Sequence, residues 1–157
     1  MKKLRILIVN ICRPLLALTF ILSGYVKAVD PLGTQYKLDD YLIAMSLSDY
    51  VPDFVTLGGA VGLAALEFSL GIFLLFSVRR RIVPRLILAM MVFMTALTVW
   101  IYAADPVKDC GCFGDAIKLT NAETLAKNIV LLVCAIVVAR WRKDMKRHIA
   151  KSNQWIV

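Results

Sequence analysis

Four long apolar runs divide this chain, and no other feature restricts its fold so strongly. They cover about residues 4–29, 54–78, 82–104 and 122–141. Roughly 20 apolar residues is the length an α-helix needs to cross the ~30 Å hydrocarbon layer of a bilayer. Within that layer only helices and closed barrels satisfy their own backbone hydrogen bonds. In a chain of 157 residues the runs leave little else, and a hydrophobic share of 60% exceeds what a soluble domain needs for its core. The expected fold is therefore all-α: one integral membrane domain, residues 1–157, built as a four-transmembrane-helix bundle. The first run reads as a span and not a cleaved leader, because it is too long and lacks a small-residue cleavage site.

Basic residues set the expected orientation. Of the 19 Lys and Arg, fourteen lie near the N-terminus, in the turn from Arg79 to Arg85, and in the tail from Arg140 to Lys151. The positive-inside rule then puts both termini, the 79–85 turn and the basic tail 142–157 in the cytoplasm. Nine of the eleven acidic residues fall at or near the two outer connections, 30–53 and 105–121, with Glu67 and Asp144 the exceptions. The net charge of +8 is thus a topology signal, matched by anionic lipid on the cytoplasmic side and not by nucleic acid, for which no motif is present.

In the first outer connection, YKLDDYLIAMSL can gather Tyr36, Tyr41, Leu42, Met45 and Leu47 on one side of a short helix, with Lys37, Asp39 and Asp40 opposite. That pattern predicts an amphipathic helix at the membrane surface. The second connection carries DCGCFGD, Asp109 to Asp115. Pro106 ends the third helix, and Thr120 with Glu123 forms a capping-box candidate for the fourth.

Cys110 and Cys112 lie on the oxidising side of a bacterial envelope in this topology, whereas Cys12 and Cys134 are read as small buried apolar residues of the first and fourth spans. Measured from the outer helix ends, Cys12 lies roughly 25 Å down and Cys134 roughly 15–18 Å down, which argues against a bridge between them. Two cysteines around Gly111 close a very small ring, and a strained exposed disulfide is easily attacked by thiols. A static disulfide, a Cu(I) site and two incidental thiols are the competing readings. The first constrains little of the unfolded chain, and two thiolates without a nearby His fall short of a structural zinc site. Redox exchange is the favoured reading, with Asp109, Asp115, Phe113 and Gly114 as supporting loop residues, and no metal is assigned.

Charges within the spans are costly and call for partners. On the same ruler Glu67 lies roughly 20 Å and Arg13 roughly 24 Å below the outer face, so the two are expected to pair unless Arg13 snorkels and Glu67 is protonated or locally bonded. Lys27 is expected to snorkel at the outer boundary, or to face the cysteine loop or a quinone headgroup. Met90, Met91 and Met94 read as packing residues, and His148 as solvated.

The stretch RPLLALTFILSGYVKAVDPLG, Arg13 to Gly33, resembles the first-helix signature of the DoxX/DoxD superfamily, and Glu67, Gly71 and the RRR turn fit the same pattern. Within that group, CGCFGD between the third and fourth spans is similar to the MauE family of methylamine utilisation. The resemblance covers nearly the whole chain. It implies a four-helix bundle working beside a periplasmic thioredoxin-like protein, related in outline to quinone-linked disulfide enzymes. Cys110 and Cys112 fall on the family's cysteine pair, and Arg13, Lys27 and Glu67 on its polar intramembrane positions. The second CxxC pair usual in quinone-reducing disulfide enzymes is missing, so no cofactor is assigned, and quinone stays open. The function expected from this is an inner-membrane thiol-disulfide redox protein. A non-catalytic membrane scaffold with a structural CGC hairpin, and a small transporter using Arg13 and Glu67, are the alternatives.

Overall fold

The computed structural model describes residues 2–47, 50–104 and 120–142, and these are almost entirely helical. The elements are α1 (Lys2–Val29), α2 (Pro31–Ala44), α3 (Asp53–Leu75), α4 (Val83–Ala104) and α5 (Asn121–Arg140). Among the described residues four helices, all but α2, are long and apolar enough to cross a membrane.

The faces of α1 show which solvent the bundle is built for. Leu4, Leu7, Ile11, Leu15, Leu18, Leu22, Tyr25 and Val29 recur at helical spacing along its exposed side, while Val9, Arg13, Leu16, Phe20, Ser23 and Lys27 turn inward. A helix that shows leucine outward and buries arginine and lysine inverts the pattern of a helix in water. Lipid outside and a sparse polar interior satisfy both faces.

Packing joins α1 to α3 and α4 to α5, with α1 also against α5. Two glycines bring α1 and α3 close. A Cβ on Gly24 would meet the Phe68 nitrogen at 2.5 Å, and one on Gly71 would meet the Ile21 nitrogen at 2.8 Å. These contacts pin an antiparallel register in which positions on the two helices sum to about 90. Val29, the last residue of α1, is therefore level with about Val61, and α3 runs some eight residues, or ~12 Å, beyond it.

The short helix α2 packs against that overhang. Asp30 caps it, its carboxylate accepting from the Gly33 nitrogen at 2.9 Å, and Pro31 supplies the first helical position. Gln35 Nε2 donates to the Asp53 carbonyl at 3.2 Å, and Tyr41 packs on Ile101. The inward face is thus Thr34, Gln35 and Tyr41. Tyr36, expected on one apolar side with Tyr41, is exposed while Tyr41 packs inward, because packing against α3 chose the rotation of the helix; Met45 and Leu47 lie beyond its last residue and are exposed.

At the other end, α3 stops at Leu75, three residues before the expected 78. Ser77 and Arg79 hold left-handed φ of 56° and 43°, which no helix tolerates. The capping box on α5 forms as expected: Glu123 nitrogen donates to Thr120 Oγ1 at 3.3 Å, and Thr120 nitrogen to Glu123 Oε2 at 3.0 Å. One end of the bundle gathers the start of α1, the α3–α4 turn and the end of α5, and is rich in arginine. The opposite end holds Asp30, Asp39, Asp40, Asp53 and Glu123. They are called the basic and acidic ends below.

Candidate functional site

Ser23 and Lys27 are one helical turn apart on α1, so both point at α3. Glu67 of α3 receives them: Lys27 Nζ donates to Glu67 Oε2 at 2.6 Å and Ser23 Oγ to the same oxygen at 2.8 Å. Lys27 Nζ also donates to Ser23 Oγ at 2.7 Å, which closes the triangle. The lysine and glutamate side chains are only 2% and 5% exposed, so this ion pair is taken fully out of solvent. Burial on that scale is sustained by mutual compensation, since a lone ammonium or carboxylate there would be left uncompensated.

This geometry corrects two sequence expectations. Lys27 does not snorkel; it turns into the bundle toward Glu67. Arg13 does not share a level with Glu67 either. Its Nη1 donates to Ser77 Oγ at 2.8 Å, in the α3–α4 turn, ten residues and ~15 Å from Glu67 along the register. The depth estimate failed because it set the ends of α1 and α3 at one height, whereas α3 projects past α1.

A second polar contact crosses from α5 to α4. Asn128 Nδ2 donates to Thr98 Oγ1 at 2.7 Å, and Thr98 Oγ1 donates on to the Met94 carbonyl at 2.6 Å. Between this pair and Glu67 lies a cavity of about 40 Å³ lined by Ser23, Glu67, Lys127, Asn128 and the methionines Met90, Met91 and Met94. One water needs roughly 10–15 Å³ by this measure, and a benzene-sized guest about 150 Å³. The space suits a few waters near a neutral ion pair and is too small for a quinone ring.

Cys12 and Cys134 are both free and pack in the same core cluster. Depths counted from the outer ends of α1 and α5 separate the two cysteines by more than the packing of α1 on α5 does. Cys110 and Cys112, with Asp109, Gly111, Phe113, Gly114 and Asp115, lie outside the described residues, as does His148. Ser77, Thr98 and Asn128 carried no role in the sequence reading. Asn128 had a signal, an amide within an otherwise apolar run, whereas nothing local distinguishes Ser77 from any turn serine.

Four apolar helices that bury an ion pair and turn leucine outward define a multi-pass helical membrane protein. Residues 5–140 match the family model described as Methylamine utilisation protein MauE, and the chain belongs to that family. No curated protein and no solved structure matches it.

Proposed function

We propose that this MauE-family protein is a thiol-disulfide redox protein of the bacterial inner membrane. Its Cys110–Cys112 pair exchanges disulfides with a periplasmic thioredoxin-like partner and so supports maturation of envelope proteins. The observation that carries the reading is the CGC pair itself, within the family match and between helices whose facing ends carry the acidic residues. The positive-inside rule puts that acidic end on the periplasmic side.

In the oxidising direction a partner thiolate attacks one sulfur of the Cys110–Cys112 disulfide, forms a mixed disulfide and displaces the other cysteine as thiolate. The partner's second thiolate then resolves the bond. The partner leaves as a disulfide, and Cys110 and Cys112 become a dithiol carrying the two electrons, with two protons taken from solvent. The reverse sequence reduces the partner. The Lys27–Glu67 pair is the tie that sets α1 on α3, and with it the platform on which α2 rests. A transporter using Arg13 and Glu67 as one site loses support from their ~15 Å separation in register.

The test is the redox state of Cys110 and Cys112 in isolated membranes, read by alkylation mass shift across a series of thiol buffers. A pair that titrates reversibly, and a Cys112→Ser variant that accumulates a mixed disulfide, are the expected results. Thiols that never oxidise, or a bond that resists reduction until the protein is denatured, would refute the exchange and favour a scaffold role.

A further inference from the structure

At the basic end a cavity of about 710 Å³ opens between α1, α4 and α5. It is lined by Arg5, Arg85, Arg140 and Arg142, with Trp141 beside them and Leu88, Ile136 and Ala139 as its apolar wall. The Arg5 guanidinium lies over the Trp141 ring, 5.9 Å from its centroid, a cation–π contact that holds one arginine at the rim. Trp141 itself packs against the core cluster, so this corner is anchored to the bundle.

Arg85, Arg140 and Arg142 add three further guanidinium groups around the cavity, a concentration of positive charge that an entering anion would relieve. Among the described residues no carboxylate is at this end: Glu67 is committed to Lys27, and Asp30, Asp39, Asp40, Asp53 and Glu123 are at the other. Asp144 follows in sequence and lies outside the described residues.

The shape narrows the anion. Ile136 is exposed together with Ile129, Val130 and Val133 on the lipid-facing side of α5, and Leu86 is exposed on α4. The cavity thus has an arginine rim where headgroups lie and an apolar wall leading toward the hydrocarbon. Its volume is within the range of small-ligand sites. Arginine pairs bidentately with phosphate oxygens, and basic pockets between spans are a recognised setting for anionic headgroups.

We propose that this cavity binds the phosphate headgroup of an anionic phospholipid, with its acyl chains against Leu88 and Ile136.

The experiment uses the full chain, purified in a neutral detergent and titrated with phosphatidylglycerol, phosphatidylcholine or inorganic phosphate. Bound lipid is counted by native mass spectrometry. Arg85→Gln/Arg140→Gln removes two exposed rim charges. Arg79→Gln/Arg81→Gln removes two exposed charges from the adjacent turn, outside the cavity. At about fivefold per surface arginine, the first variant should bind phosphatidylglycerol about 25- to 30-fold more weakly, while the second stays within about twofold of the parent. Equal weakening in both variants would overturn the proposal in favour of diffuse surface charge. Equal binding of phosphatidylcholine would overturn it by removing the charge requirement. Competition by inorganic phosphate at the lipid's own concentration would overturn it in favour of a free-anion site.

Discussion

Glu67→Gln is the perturbation that most directly probes the interior of the bundle. The carboxylate accepts from Lys27 at 2.6 Å and Ser23 at 2.8 Å, and Lys27 is 2% exposed. The amide keeps the volume and can still accept from both donors, but it leaves the ammonium without a counter-charge. Breaking a buried pair from one side costs about 3–5 kcal/mol, a large part of the 5–15 kcal/mol that holds a typical domain together. Replacing both partners by apolar residues of similar length, as in Lys27→Met/Glu67→Met, removes the stranded charge and should regain most of that loss. The assay is an unfolding titration in mixed micelles of neutral detergent and dodecyl sulfate, followed by circular dichroism for the parent, both single variants and the double. The expected pattern is two strongly destabilised singles and a double within about 1 kcal/mol of the parent. A Glu67→Gln cost under about 1 kcal/mol, or a double variant as unstable as the sum of the singles, would refute the claim that the pair is desolvated and mutually dependent.

Gly24→Ala should open the α1–α3 contact and lower stability by about 1–3 kcal/mol, since its Cβ would meet the Phe68 backbone nitrogen at 2.5 Å. Gly58→Ala and Gly62→Ala, with nothing within 4 Å of the added carbon, should be neutral or slightly stabilising in the same titration. Asn128→Leu removes one interhelical hydrogen bond, but Thr98 keeps its bond to the Met94 carbonyl. Its cost should be near the ~0.6 kcal/mol average for such bonds in membranes, and a loss above about 2 kcal/mol would show that Asn128 does more than make this one bond. Finally, a membrane-permeant dithiol oxidant should join Cys12 to Cys134, giving a faster-migrating band on a non-reducing gel that Cys12→Ser abolishes. Failure to cross-link under conditions that oxidise exposed thiols would contradict their contact across α1 and α5.

Much of this architecture is legible in local patterns. An apolar run of spanning length forces a helix because lipid offers its backbone no partners, and a threonine three residues before a glutamate forms its cap within one turn. Such signals need only neighbours in sequence. The identities of the interior polar residues on α1 and α3 were legible for a related reason: a charge in hydrocarbon stands out at once. Their pairing was not legible. Arg13, Lys27 and Glu67 each carried a depth measured from the end of its own helix, and those ends do not lie in one plane.

What the chain's order of residues determined alone is therefore the number of spans, their approximate limits, the segregation of basic and acidic ends, and which polar groups had to be buried. What only the tertiary structure decided is register. Close approach at Gly24 and Gly71 slides α3 past the end of α1, which matches Glu67 with Lys27 and Arg13 with Ser77, while the separate packing of α1 on α5 brings Cys12 to Cys134. The same assembly gathers arginines from three helices around one cavity. Helical periodicity specifies which face of a helix is apolar, but the height at which two helices meet depends on contacts between residues 40 or more positions apart, and no local pattern encodes that.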